Sequence, residues 1–445
     1  MGILLDIVYL LALLLASPLI LYKSLRTGKY RSDWAGRLGH VPPAIKEQLN
    51  RGGGPRLVLH CVSVGELLST RLLVNKLLVQ DPTLTIIVTT TTDTGTARAK
   101  ALYADTARVV TLRYPLDFSW AVRRFLAAVK PNLIALVELE VWPNFVRAAA
   151  RRNIPVVIIN GRLTARSFGR YRKVRPLCAA MFRRIAWAGV QSQDIADYFT
   201  ALGMPQDRMR IVPTLKYDAA DLADAVAGAD ALALALGITG QHHLFVAGST
   251  GPGEEEALLQ AYSRMFARWP QLRLAIAPRK PETVAGVLAA ISAMGFTPVR
   301  RSDHADGTRG MPLSSETIVV LDTLGELRKL YALSFAVFSG RSLVPLGGSD
   351  MIEVAALAKP CCFGPHTGNF AEAVHLLLSA GGACRVADGN EIENLLDQWL
   401  ANPIAAAAVG HAARSVIAAQ RGSTELYVQE LISRLSPLPE SVAAS

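Results

Sequence analysis

Short β-branched runs alternate with longer helical stretches along almost the whole chain, and no other feature constrains the fold as much. A first series comprises RLVLHCV (56–62), LTIIVTT (84–90), RVVTL (108–112), LIALV (133–137), PVVII (155–159) and AWAGVQS (186–192). A second comprises LFVAGS (244–249), LRLAIAP (272–278), TIVVL (317–321), FAVFSG (335–340) and PCCFG (360–364). Between them lie stretches such as LLSTRLLVNKLLVQ and GEEEALLQAYSRMFARW. Continuously apolar strands are buried on both faces, so the pattern predicts parallel sheets covered by helices on both sides. At 445 residues the chain exceeds one ordinary core. An α/β architecture of two Rossmann-like domains facing a cleft is therefore expected. Residues 30–213 form the first domain, an Ala- and Asp-rich linker spans 214–241, and 242–445 form the second.

Residues 1–29 stand apart. ILLDIVYLLALLLASPLILY (3–22) is apolar except at Asp6, Ser17 and Pro18, about the 20 residues that cross a bilayer. No positive charge precedes it, unlike a signal peptide, whereas Lys23, Arg26, Lys29, Arg31 and Arg37 follow. A membrane anchor is expected, as a span or as a helix lying on the surface, with the body on the cytoplasmic side. Five cysteines without a CxxC pair argue against a disulfide framework or a zinc site.

A net charge of +11 calls for an anionic partner. The basic residues concentrate in NGRLTARSFGRYRKVRP (160–176), inside a stretch without an acid between Glu140 and Asp194. A solvated helix face usually mixes signs, so membrane phosphate or a phosphorylated acceptor fits this segment. Nucleic acid does not, because no recognised binding motif accompanies the charge.

In doubly wound sheets ligands sit beyond the carboxyl ends of the strands. After the first run, Ser63-Val64-Gly65-Glu66 reads either as a capping box or as a carboxylate poised to act as a base. After LIALV, Glu138 and Glu140 at i and i+2 would share a face if the strand continued. In the second half, Ser249 and Thr250 precede a glycine turn whose N–H groups suit an anion. Arg279 follows the next strand, where it can fork onto phosphate or carboxylate. Gly325 and Glu326 open a helix, and Gly347, Gly348, Ser349, Asp350 and Glu353 form another strand-to-helix turn. A phosphate at the glycines and a carboxylate on ribose hydroxyls would make a nucleotide site.

Together these residues resemble the 3-deoxy-D-manno-octulosonic acid (Kdo) transferases of lipopolysaccharide synthesis. The resemblance runs from YRSDWAGRLGH (30–40) to FGPHTGNF (363–370) through HCVSVGE, YPLDFSWAVRRFL, VELEVWPN, NGRLTARSFGRY, LKYD, APRKPE, DTLGELRKLYA and SLVPLGGSDMIEVAALAKP. It implies the glycosyltransferase B fold and transfer of Kdo from CMP-Kdo to a lipid A precursor (lipid IVA) at the inner membrane. It further implies inversion of the anomeric centre without a metal or other cofactor. Carried over, Glu66 is the general base, and Glu138 with Glu140 is the acidic pair of a Glu-x-Glu-x-Trp-Pro motif. Arg279, Gly325, Glu326 and Glu353 fall on motifs that hold CMP, and Lys216 matches a Leu-Lys after the linker. The chain departs from the family at Ser349-Asp350, where His-Asn is usual, at Val354, where Pro is usual, and at Lys280, where His is common. The first change leaves other readings open: a related enzyme with a changed donor, a nucleotide-sugar epimerase, or a non-catalytic sugar-nucleotide binder.

Overall fold

The computed structural model describes residues 2–27, 33–223, 225–304, 310 and 313–435. The side chains of Lys23 and Arg26, all of Lys29 and Arg31, and the boundary expected at 29–30 lie outside the described residues. The chain divides into two compact units, 1–219 with 421–445 and 220–420.

The first unit is built on strands β1 Arg56–Cys61, β2 Thr85–Thr90, β3 Val109–Arg113, β4 Leu133–Val137, β5 Val156–Gly161, β6 Trp187–Val190 and β7 Met209–Ile211. They form one parallel sheet in the order β3-β2-β1-β4-β5-β6-β7. Alternating residues of β1 and β4 feed two cores, Val58, Ile134 and Leu136 on one face, Leu57, Leu59, Ala135 and Val137 on the other. The second unit contains β8 His243–Thr250, β9 Leu272–Pro278, β10 Thr297–Arg300, β11 Thr317–Val320, β12 Ala336–Ser339, β13 Cys361–Phe363 and β14 Cys384–Arg385. These are also parallel, in the order β10-β11-β9-β8-β12-β13-β14.

The eleven apolar runs are all strands. The three strands that escaped the sequence reading, β7, β10 and β14, each lie at a sheet edge. Each has one hydrogen-bonded neighbour and a wet flank and carries no continuous apolar run, unlike the remaining edge strand β3, whose Val109, Val110 and Leu112 are buried. None of the residues of these three strands is buried.

The domain limits need two corrections. The expected linker is half structured: Leu215–Ala219 is a helix of the first unit with Leu215 and Tyr217 buried, and Ala229–Leu236 is a helix of the second. The end of the chain also leaves the second domain. Helix Ser423–Leu435 places Tyr427, Val428, Leu431 and Leu435 in the core of the first unit. Its apolar face is what recruits it there.

The apolar N-terminal run is a helix, Gly2–Thr27. Among the described residues no helix is long and apolar enough to cross a membrane. Its first turns dock on the first unit, and Leu4, Ile7, Val8, Leu10, Leu11, Leu14 and Leu15 remain exposed.

Candidate functional site

In the first sheet the strand order reverses between β1 and its neighbour β4, the crevice where this architecture binds ligands. The turn after β1 holds Glu66 and the turn after β4 holds Glu138. The capping box is complete: Ser63 Oγ accepts from Glu66 N–H at 3.2 Å, and Ser63 N–H donates to Glu66 Oε1 at 3.2 Å. The same carboxylate accepts from the Ser63 hydroxyl at 2.8 Å and from Val62 N–H at 2.8 Å. Burial nevertheless pushes the Glu66 carboxyl up to about 7; the Val62 N–H and Ser63 hydroxyl pull it down, and Glu138 pushes it up again. Capping and a raised carboxyl thus meet in one side chain. A carboxylate that titrates near neutrality suits proton abstraction.

β4 stops at Val137, and Glu138 adopts a left-handed backbone with φ 61°, a conformation that costs a residue with a Cβ about 1–2 kcal/mol. Its N–H still donates to Ile159 O at 3.0 Å. Because the strand ends there, Glu138 and Glu140 do not share a strand face as the spacing suggested. They remain close, since Glu138 contributes to the raised pKa of Glu140. Burial is the main cause of that shift, opposed by the indole N–H of Trp142, which donates to Glu140 Oε2 at 2.9 Å.

Lys216, expected among the nucleotide contacts, belongs to the first unit. Its helix, Leu215–Ala219, packs against the helix Val64–Ser69 that carries Glu66. Leu215 N–H donates to Asn160 Oδ1. Asn160 is a buried hub that sequence reasoning missed. Its backbone is left-handed at φ 54°, its N–H donates to Tyr427 Oη at 2.8 Å, and Gln191 Nε2 donates to its two oxygens. The available signal was the Asn-Gly of NGR at a strand end, a pair that favours positive φ. The basic helix Ala165–Lys173 buries none of its residues. Burial and then Glu140 raise the Tyr171 hydroxyl, so this helix lies near the acidic turn.

In the second sheet the order reverses between β8 and β12. The turn after β8 is not an open anion cradle. Fully buried Glu254 accepts from Gly251 N–H at 2.8 Å, Arg341 N–H at 2.5 Å, Ser342 N–H at 2.6 Å and Leu343 N–H at 2.8 Å. Thr250 donates its hydroxyl to Glu255 at 2.9 Å, and Ser249 takes φ 56°. The chain's own carboxylates fill the place read as an anion site at Ser249 and Thr250.

Gly347 and Gly348 have φ 86° and 81°, and a Cβ on Gly347 would stand 2.3 Å from Asn369 Nδ2. The left-handed conformation of both therefore favours glycine, and a Cβ at 347 would also have to displace the Asn369 amide. The Gly348 N–H donates to Arg341 O at 2.7 Å, which removes it from the expected phosphate contacts. Ser349 is buried and donates to Ser249 O at 3.2 Å, so it ties the two turns together. Asp350 accepts from Ile352 N–H at 3.1 Å, and Glu353 is exposed in the first turn of helix Ile352–Ala356. Burial and then Glu353 raise the hydroxyl of Tyr331, Asp350 adds to this, and Arg279 opposes it. These three side chains consequently converge around Tyr331. Arg279 is itself exposed at the end of β9, its N–H donating to Thr250 O.

Gly325 (φ 86°) is exposed. Glu326 is engaged by neighbouring donors of the chain. Its oxygens accept from Arg301 at 2.9 and 3.1 Å, Thr323 at 2.6 Å and Lys329 at 3.4 Å. Burial raises this carboxyl, but those donors outweigh it and hold it below its usual range.

A sequence-family profile for 3-deoxy-D-manno-octulosonic-acid transferases (kdotransferases) matches residues 32–219. The 3-deoxy-D-manno-octulosonic acid transferase of Haemophilus influenzae is 31% identical over 437 residues, 97% of this chain and 98% of that protein. The enzyme of the same name from Bordetella pertussis is 31% identical over 84% of this chain and 86% of its own. Among solved structures, UDP-GlcNAc 2-epimerase from Neisseria meningitidis superposes with a TM-score of 0.59 at 14% identity, over 85% of this chain and 100% of that one. Anabaena Alr3699/HepE gives 0.57 at 13%, over 85% and 99%. At such identities the structural likeness speaks for the fold alone. A relative matched from end to end, joined to two parallel-sheet units of glycosyltransferase B type, establishes that the chain belongs to the 3-deoxy-D-manno-octulosonic acid transferase family.

Proposed function

We propose that this glycosyltransferase takes Kdo from CMP-Kdo and sets it on a hydroxyl of a lipid A precursor (lipid IVA) at the cytoplasmic face of the inner membrane, with Glu66 as general base. The single observation that carries this reading is the Glu66 carboxyl, held at about 7 at the switch point of the first sheet. As the acceptor oxygen bonds to the anomeric carbon, its proton passes to Glu66. The bond from that carbon to the phosphate breaks, and its electron pair leaves on CMP. Attack opposite the leaving group inverts the centre. Arg279 answers the charge developing on the phosphate, a role for which a guanidinium is well suited. Glu138 keeps Glu66 basic by disfavouring a second negative charge beside it.

Membrane association rests on three features of the first unit. The N-terminal helix leaves a leucine-rich face exposed, the helix Ala165–Lys173 presents a basic surface, and Trp120 and Trp142 are exposed. This combination suits a helix lying in an anionic interface with indoles at headgroup depth. Asp350 supports a second reading, a changed donor, because it puts a carboxylate beside Arg279 and Glu353 around Tyr331.

Incubation with CMP-Kdo and a tetra-acylated lipid A precursor is expected to add the mass of Kdo to the lipid. Glu66→Ala is expected to abolish transfer while CMP still binds. Turnover retained by purified Glu66→Ala would remove the base from the mechanism. No Kdo product from the unaltered protein, with another CMP-sugar accepted, would favour the changed donor.

A further inference from the structure

The N-terminal helix is more than an apolar appendage, because two of its polar side chains are built into the first unit. Asp6 Oδ1 accepts from Ser119 N–H at 2.8 Å and from Asn144 Nδ2 at 3.0 Å, and its Oδ2 accepts from the Ser119 hydroxyl at 2.5 Å. One turn on, Tyr9 donates its hydroxyl to Asp117 Oδ2 at 3.0 Å, and its ring meets Phe118 edge-on at 6.1 Å. Asp117 is buried, and its carboxylate also accepts from Asn144 N–H at 3.0 Å and Phe145 N–H at 2.8 Å. Asn144 Nδ2 closes the circuit by donating to Asp117 O at 2.7 Å.

Asn144 and Phe145 are the second and third residues of helix Pro143–Ala150. That helix begins three residues after Glu140, so only Val141 and Trp142 separate it from the acidic turn. A carboxylate on the first free N–H groups of a helix fixes where the helix starts. It thereby fixes where the preceding turn must end. The left-handed Glu138 makes that turn strained at its other end, and a strained turn keeps its shape only while its surroundings hold it.

We propose that Asp6 and Tyr9 are positioning residues: through Asp117 and Asn144 they latch the membrane-seeking helix to the turn that carries Glu138 and Glu140, so that the anchor and the acidic site move as one body. The latch rests on the proposed role of the acidic turn for its effect on catalysis, but its own geometry does not depend on it. An acceptor hydroxyl at a membrane surface has a fixed depth. An enzyme whose interfacial helix is hydrogen-bonded to its acidic turn sets those acids at a fixed depth too.

The test uses the full chain on vesicles of phosphatidylethanolamine and phosphatidylglycerol. Tyr9→Phe removes one hydroxyl and leaves the apolar helix face intact; Asp6→Ala removes the other arm; Asp6→Asn keeps one acceptor oxygen. Hydrogen exchange of the Asn144 and Phe145 amides reads the latch directly, whether or not Glu138 acts in catalysis. In Tyr9→Phe and Asp6→Ala these amides are expected to exchange several-fold faster while vesicle binding stays unchanged. Turnover in Asp6→Ala should fall by about tenfold, within the range that small misplacements of reacting groups produce. KM for CMP-Kdo should hold, and Asp6→Asn should recover part of the loss. Unchanged exchange in both variants would overturn the latch. Faster exchange with unchanged kcat would overturn the positioning role, and turnover lost only in proportion to lost vesicle binding would do the same. Failure of the Glu66 reading shows itself separately, as Glu66→Ala turnover with normal exchange at Asn144 and Phe145.

Discussion

The turn after β1 and the turn after β8 occupy the same place in their sheets, each at the point where strand order reverses, and each opens a helix with a glutamate. The two carboxylates are treated in opposite ways. Glu254 is fully buried, and four backbone N–H groups from two loops spend its acceptor capacity. Glu66 accepts from Val62 and Ser63 of its own turn and is pushed up to about 7 by burial. An acid at a switch point is therefore not a reactive group by position. Its carboxyl is pushed toward neutrality when burial is left partly uncompensated. Glu326, forked by Arg301, belongs with Glu254 on the structural side.

The sharpest way to break this contrast is to exchange each acid for its amide. Glu66→Gln keeps one cap acceptor but cannot take a proton, and transfer is expected to fall by about 10²–10⁴-fold with the melting temperature little changed. The companion Glu254→Gln puts donors against backbone N–H groups and leaves buried donors unmet. A stability loss of about 3 kcal/mol or more is expected by denaturant unfolding, from unmet groups at about 1–3 kcal/mol each. A catalytic collapse in Glu254→Gln without destabilisation would erase the distinction.

The second-largest effect concerns the glycine turn. Gly347→Ala meets both a left-handed φ and Asn369, so a loss of about 1–2 kcal/mol or more, with weakened CMP binding by titration, is expected. Gly325→Ala meets no atom within 4 Å and should show the conformational cost alone.

The pH profile sharpens the contrast further. If Glu66 must be ionised to act, kcat/KM falls about tenfold per pH unit below about 7 and levels off above it. Its linkage to stability runs the other way. A carboxyl raised above its unfolded value favours the folded state while protonated, so this contribution fades as pH rises from the usual carboxylate range through about 7. Glu66→Gln should flatten that slope. The smallest effect is expected at Glu138→Gly, which relieves the left-handed strain and should stabilise slightly while lowering turnover.

The strands and the turns that hold the candidate residues were legible beforehand for a specific reason. Central strands of a parallel sheet are apolar without interruption, so LVLHC, LIALV and LFVAG announce themselves, and the residues just beyond them are then known to be at the binding edge. Edge strands such as Cys384–Arg385 lack that burial and passed unnoticed. The Ser63–Glu66 spacing fitted two roles; the capping box is formed, and the carboxyl is raised to about 7 by burial. The expected sharing of a strand face by Glu138 and Glu140 failed because the strand terminates in a left-handed residue, which nothing in Val-Glu-Leu-Glu signals. Lys216 was assigned to the nucleotide from the resemblance to the family's Leu-Lys; that its helix belongs to the first unit, pinned by Asn160 and packed on the helix of Glu66, left no mark in the local sequence.

The sequence by itself determined the alternation of strand and helix, the family, and which loops border the binding edges, because these follow from local apolar pattern and spacing. Tertiary structure alone decided which acids have their acceptor capacity spent. Satisfaction of a carboxylate depends on N–H groups arriving from far along the chain, as Arg341, Ser342 and Leu343 do for Glu254 and as Asp6 and Tyr9 join Asp117 and Asn144. Partners separated by 87 to 138 positions leave no mark in local spacing.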